Sequence, residues 1–257
     1  NIILKNNKYR VEQYLEGSTV DIRMLNLRDF DRLLINIAKR IFDIHNFYIF
    51  NFRYEENNIY LKIDIFFDIL GNLKIDKFTY SIDDLKIKLE ECKEIIKNNN
   101  KSGSSVNYFN MGIEYMLNKS LIHADLLSGN IICTLDNDIK FIDYEYSCIF
   151  SRGYDIGNFF NEFKGLDLEL EYPSYGVRRL FYFSYFNTVN IFFPDQKNFN
   201  EFLKGVDHIV LIFSRISNLF WGLWSLVKYS ENNIKFDYLN YGLKRIRLFN
   251  GNILNLR

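Results

Sequence analysis

The chain has no net charge to speak of: 32 lysines and arginines balance 32 aspartates and glutamates across 257 residues. That balance excludes a strong overall field toward nucleic acid or an anionic membrane, so partners must be sought at local sites. Cysteine is scarce too. Cys92, Cys133 and Cys148 form no C-x-x-C pair and leave an odd thiol over. This suits reduced thiols in a cytoplasmic protein better than a disulfide framework. Long apolar runs are also missing. The most apolar stretch, Ile216 to Val227, is about twelve residues between charges, where a membrane-spanning helix needs about twenty, so a buried helix is expected and no transmembrane segment. The opening NIILKNNKYR lacks the charged start, apolar middle and cleavage site of a signal peptide. It also lacks an initiator Met, and the chain is expected to be a processed product or a piece of a longer protein.

What is present is enough apolar material, 48% of the residues, to bury the core of one large domain or two small ones. Two short strands are expected near Ile2 to Leu4 and Tyr9 to Tyr14, joined by a polar turn, with a break at Gly17 and Ser18. Asp29 is placed to cap a helix through about His45, since Phe30, Leu33, Leu34, Ile37, Ala38, Ile41 and Phe42 recur at helical spacing. The aromatic stretch Asn46 to Tyr80 shows no period that assigns it an element. Helices follow near Asp83 to Lys97 and Val106 to Leu117. Apolar runs at Ile131 to Leu135 and Ile139 to Ile142 flank Asp136-Asn137-Asp138, a hairpin signal. Beyond it the spacing predicts helices near Asp155 to Phe163, Tyr175 to Phe192, Phe199 to Tyr229 and Phe236 to Phe249. The reading is a remnant of a small β-rich lobe over residues 1–16, then a large helical lobe over 17–257 that carries a loop and hairpin site.

That site is HADLLSGN followed by FIDYEY. His123, Asp125 and Asn130 stand at the intervals of the protein-kinase catalytic loop, H-x-D-x-x-x-x-N, and the hairpin returns the chain to Asp143. In such an arrangement Asp125 accepts or orients the proton of an attacking hydroxyl. Asn130 and Asp143 hold a Mg²⁺ that bridges phosphate oxygens. Phosphoryl transfer asks chiefly for positioning and charge neutralisation, so base and metal ligands must converge from rigid neighbouring segments. Oxygen ligands without paired His or Cys suit Mg²⁺ and argue against zinc. A lone H-x-D would read more readily as a packed histidine and a turn cap; the Asn at the right offset and the hairpin extend the match. Trp221 and Trp224, three apart on a helix, turn both rings to one side, with Phe236, Tyr238 and Tyr241 following. Such rings wall a cation or fill a core. Read from the residues alone, Asp155 is a helix N-cap, and Glu162 lies on the same helix face.

Together HADLLSGNII, FIDYEYSCIFSRGYDIGNFFNEF and FWGLWSLVK resemble the choline and ethanolamine kinases, over about Tyr9 to Phe249. The resemblance implies an α+β, eukaryotic-protein-kinase-like two-lobed fold whose small β lobe is incomplete here and whose large lobe is mainly helical. It implies ATP as co-substrate, Mg²⁺ as cofactor and a small amino alcohol as acceptor. By the same likeness Asp125 and His123 are catalytic, Asn130 and Asp143 bind metal, and Asp155 supports the catalytic loop. Gln13 and Leu15 in VEQYLEG meet adenine, with Asp143 also facing the nucleotide. Asp125, Tyr146, Glu162, Trp221, Trp224 and Tyr241 line the amino-alcohol site. NEF-x-G followed by Asp167, Glu169 and Glu171, together with Leu127, leans toward ethanolamine, whose ammonium has three donors to satisfy, over choline, which has none. The acidic run reads as readily as a solvated surface loop. The expected reaction makes phosphoethanolamine, the first step of the CDP-ethanolamine route to phosphatidylethanolamine. Choline kinase and a non-catalytic binding module are the rivals, and a homodimer stays open. The chain departs from the family at Ala124, where Asn is usual, and at Phe159, where His is. No glycine-rich phosphate loop or strand Lys precedes Tyr9.

Overall fold

The computed structural model describes residues 2–5, 10–12, 14–20, 27–47, 58–73, 75, 78–99, 107–165, 167–187, 193–231 and 236–251. The chain starts with two antiparallel strands, β1 (Ile2–Lys5) and β2 (Arg10–Glu12), the pair expected from the sequence. The expected break at Gly17 and Ser18 is instead a third strand, β3 (Gly17–Thr19), antiparallel to β5 (Ile131–Thr134) with Ser18 opposite Cys133. A Cβ on Gly17 would run into the carbonyl oxygen of Cys133. The glycine therefore marks a close backbone approach where sequence alone suggests a break.

Helix α1 (Leu27–His45) buries Leu33, Leu34, Ile37, Ala38 and Ile41 along one stripe. Asp29 does not cap it. It sits in the first turn, 3.2 Å from Arg32. The unassigned stretch before Tyr80 contains α2 (Ile59–Gly71), with Asn58 as N-cap accepting from the Leu61 N–H at 3.0 Å. Its buried residues Ile59, Ile63, Phe67 and Leu70 have helical spacing, but Leu61, Ile65 and Ile69 are exposed. With apolar residues on both sides, the contrast that announces an amphipathic helix is weak.

Next come α3 (Ile82–Asn99), α4 (Tyr108–Leu117), β4 (Lys119–Ile122), β5, β6 (Ile139–Phe141) and β7 (Cys148–Ser151). Among the described residues four α-helices follow: α5 (Arg152–Asn161), α6 (Tyr175–Phe186), α7 (Gln196–Ser230) and α8 (Tyr238–Asn250). Helix α5 begins three residues before the expected start, so Asp155 lies inside its first turn and is not its N-cap. Helix α6 ends at Phe186, short of the expected Phe192; residues 188–192 lie outside the described ones.

Helix α7 is the axis of the core. It is long and apolar enough to cross a membrane by length and composition, yet 89% of its most apolar window is buried within the protein. Fully buried side chains such as Leu203, Ile209, Phe213 and Phe220 each stabilise the fold by about 1.5–3 kcal/mol relative to exposure. Helix α4 lies against it at two reciprocal glycines: a Cβ on Gly112 would strike the Phe202 carbonyl oxygen, and one on Gly205 the Phe109 carbonyl oxygen. Arg178 pins α6 to α7 through two bonds to Asp207, 2.7 and 3.0 Å, while Tyr182 donates to the same carboxylate at 2.8 Å. With its charge compensated on three sides, Asp207 is a buried ion that the core tolerates.

Candidate active site

Two small sheets frame the loop. Strand β4 pairs antiparallel with β7, Leu121 opposite Ile149, and β5 pairs with β6, Ile132 opposite Lys140. The segment from His123 to Asn130 leaves β4, enters β5, returns along β6 to Asp143, and rejoins β7 through a tight turn at Tyr144–Tyr146. The Ile142 N–H donates to the Asn130 carbonyl at 3.1 Å, which sets Asn130 beside the start of the Asp143 turn. Thus one loop and one hairpin bring together the residues that the sequence spacing singles out.

Asn130 turns its Nδ2 toward Asp125, donating to the carboxylate at 3.0 Å and to the backbone carbonyl at 2.9 Å. That orientation leaves Oδ1 for a cation. Burial, then the nearby charges of Glu162 and Asp143, push the Asp125 carboxyl up to about 7, opposed by the Asn130 bond. The site is thus a concentrated negative field that a divalent cation and an ammonium would relieve. Among the described residues no group of three His, Cys, Asp or Glu stands together as a metal cluster. The donor set here is one carboxylate and one amide oxygen, which fits a Mg²⁺ completed by phosphate oxygens and water.

His123 is fully buried. Its Nε2 lies 2.8 Å from the Ile142 carbonyl, and its Nδ1 accepts the Asp125 N–H at 3.3 Å. These partners define a neutral ring with its proton on Nε2, in agreement with burial lowering its pKa. The ring therefore ties the loop to the strand leading to Asp143. Beneath it, Asp155 accepts the His123 N–H at 2.9 Å and the Ala124 N–H at 2.7 Å. Ala124 has φ 68°, a left-handed backbone that costs an ordinary residue about 1–2 kcal/mol. Asp143 has φ 63°.

Facing the loop is an aromatic wall. The Trp221 ring lies 5.0 Å from Tyr146 and 5.4 Å from Trp224, and Trp224 lies 5.7 Å from Tyr238. Both tryptophans do share a side of α7. Trp221 is buried, and its Nε1–H donates to Asn158 Oδ1 at 2.8 Å, while Trp224 is half-buried. Asn158 and Asn161 of α5 bind Ser217 and Ser214 of α7, each at 2.7 Å, so a buried polar seam sets the rotation of the wall. Burial, then Glu145, pushes the Tyr146 hydroxyl up to about 12.

Glu162 ends α5 at the edge of this wall and is held by Arg245 of α8 at 2.7 Å. The Tyr241 hydroxyl accepts from the same guanidinium at 2.6 and 2.9 Å, and Arg245 also donates to Asn218 at 3.0 Å. Sequence reasoning missed Arg245 because nothing at a distance of 83 residues links it to Glu162. Farther along the acidic run, Asp167, Glu169 and Glu171 are exposed, and Lys244 bonds Glu169 at 3.2 Å. Their expected share in binding an ammonium is not supported by this placement; they form a surface loop. Phe159 lies in the aromatic core, 5.4 Å from Phe163. Leu15 is half-buried just ahead of β3, and Gln13 lies outside the described residues.

A helical lobe with a loop and hairpin converging on Asp125, Asn130 and Asp143 is the architecture of the protein-kinase-like fold. The choline/ethanolamine kinase family model matches residues 6–250, and the chain belongs to that family. Ethanolamine kinase 1 of Homo sapiens is 29% identical over 254 residues, covering 92% of this chain and 51% of its own length. A probable ethanolamine kinase B of Dictyostelium discoideum is 29% identical over 174 residues, 54% of this chain and 37% of that one. The solved structure of an ethanolamine kinase from Plasmodium vivax superposes with TM-score 0.74 at 26% identity, covering 99% of this chain and 68% of that one. The chain spans between about a third and a half of the length of the two curated relatives, by the shares just given.

Proposed function

We propose that the protein transfers the γ-phosphoryl group of ATP to the hydroxyl of ethanolamine, giving phosphoethanolamine and ADP. The observation that carries this reading is the placement of Asp125, within a hydrogen bond of Asn130 and in the field of Asp143 and Glu162, opposite an aromatic wall. Asp125 orients the amino-alcohol hydroxyl and takes its proton as the new O–P bond forms and the bond to ADP breaks. Asn130 and Asp143 would hold the Mg²⁺, which supplies charge neutralisation at the phosphates when bound. Asp155, through the His123 and Ala124 amides, keeps the loop in place. Leu15, just ahead of β3, would offer its backbone to adenine. Three free thiols suit a reducing, cytoplasmic setting.

Ethanolamine is favoured over choline by Glu162, whose Oε1 is fixed by Arg245 at the edge of the wall, near enough to Asp125 to raise its pKa. A primary ammonium donates to such a carboxylate; a quaternary one cannot. The names of the relatives lean the same way. Side-by-side Asp125, Asn130 and Asp143 speak against a non-catalytic module, which has no chemical need for all three. The test offers ethanolamine and choline at equal concentration with Mg²⁺ and ATP and weighs the products. Phosphoethanolamine in excess by about 5- to 150-fold, the span of about 1–3 kcal/mol for modest pocket differences, supports the reading. Dominant phosphocholine assigns the site to choline, and no phosphorylated product of either overturns the kinase reading.

A further inference from the structure

Beneath the catalytic loop, Asp155 has a partner that neither the loop motif nor the amino-alcohol site employs. His45, the last residue of α1, is buried and sets its Nε2 3.2 Å from Asp155 Oδ2. Its other ring nitrogen, Nδ1, lies 2.7 Å from the hydroxyl of Tyr185 on α6. Asp155 is an acceptor, so Nε2 carries the proton; Nδ1 is then an acceptor and receives the Tyr185 O–H. The bonds run in one direction from hydroxyl to imidazole to carboxylate. On the far side, the same carboxylate takes the His123 and Ala124 amides. Three helices, α6, α1 and α5, are therefore joined to the loop through one buried chain of hydrogen bonds.

We propose that Tyr185 and His45 are positioning residues for phosphoryl transfer, fixing the rotamer of Asp155 and through it the left-handed turn at Ala124 that aims Asp125. A carboxylate serving two successive amides must keep both oxygens in their plane. Without His45, one oxygen loses a donor in a site from which water is excluded, and the group is free to turn. Ala124 makes the dependence sharper, because alanine has no side chain with which to stabilise φ 68° by itself. The directions of the two ionisations agree with a neutral imidazole donating to an ionised carboxylate: burial lowers His45, and, against the opposing effect of burial, its bond to His45 holds Asp155 below the ordinary carboxyl value.

This inference rests on the reading of residues 123–130 as a catalytic loop, so its test includes a measurement that needs no activity. Hydrogen exchange is followed at the His123 and Ala124 amides in the intact protein and in His45→Leu, His45→Gln and Tyr185→Phe. Glutamine keeps a donor for Asp155; phenylalanine removes only the hydroxyl. Exchange at these two amides should quicken about tenfold or more in His45→Leu, less in Tyr185→Phe and least in His45→Gln, with the β4 and β7 amides unchanged. In parallel, kcat for ethanolamine phosphorylation should fall in the same order while KM for ATP stays within about twofold. Unchanged exchange in folded His45→Leu overturns the proposal, as does a quickening spread evenly through β4 and β7. If His45→Leu does not fold, Tyr185→Phe decides by the same two outcomes. Altered exchange in a protein without kinase activity would retain the positioning network and reject the proposed function alone.

Discussion

The Glu162 carboxylate and the Arg245 guanidinium meet at 2.7 Å, one from the end of α5 and the other from α8, with Arg245 buried. The pair sits within electrostatic reach of Asp125, and Tyr241 and Asn218 occupy other donors of the same guanidinium. Glu162 is thus an oriented acceptor. Removing Arg245 leaves a mostly buried carboxylate unpaired, and Arg245→Met should cost about 3–5 kcal/mol by denaturant unfolding. Adding Glu162→Gln should recover part of it. A loss below about 1 kcal/mol in the single variant would show that the pair is solvated and does not orient Glu162.

Glu162→Gln alone should act on substrate choice. KM for ethanolamine should rise about 10-fold or more while that for choline changes less, because only the primary ammonium donates to the carboxylate. Equal effects on both amines, read from initial rates, would assign Glu162 a general electrostatic role.

Trp224→Ala removes a ring face without touching the Trp221 to Asn158 bond. Loss of a cation–π contact worth about 0.5–2 kcal/mol should raise KM for either amine about 2- to 30-fold and leave kcat nearly unchanged. An unaltered KM with a lowered melting temperature would make the wall a core patch.

Asp143→Asn should act through the metal. Activity falls, and part of it returns at high Mg²⁺ or with Mn²⁺, since the amide still offers an oxygen but no charge. An activity loss indifferent to metal concentration would give Asp143 a structural role only.

Acid should destabilise the fold through His45 and His123, both depressed chiefly by burial. The sign follows from proton uptake: below the ordinary value of about 6.5 the unfolded chain binds protons that the folded one refuses, so stability rises with pH there. The full contribution is present above about 6.5 and is lost as the pH falls toward the depressed folded values. The melting temperature should drop from pH 7.5 to 5.5 in the steps of a titration series, and His45→Gln should flatten that drop. An identical slope in the variant would show that His45 takes up protons alike in the folded and unfolded chain.

The loop and hairpin were legible in the sequence because their logic is local: Asp125, Asn130 and Asp143 lie within one turnback of the chain, and spacing alone fixes their order. The tryptophan wall was legible for a similar reason, since three residues on a helix share a side. What was hidden depends on long-range contacts. His45 meets Asp155 across 110 residues and Glu162 meets Arg245 across 83, and neither partner carries a local mark of the other. Helix α2 was hidden differently, by exposed Leu61, Ile65 and Ile69 that blur its apolar stripe. Gly17 misled because a close strand approach and a chain break use the same residue.

The most direct measurement is the rate of phosphoethanolamine formation from Mg²⁺, ATP and ethanolamine by the intact protein and by Asp125→Asn, each with its folding checked by circular dichroism. The amide keeps the shape and the Asn130 contact but cannot take the hydroxyl proton. A fall of about 10² to 10⁴ in kcat in a folded variant is the result expected for a positioned base. Undiminished turnover in folded Asp125→Asn would contradict the central claim.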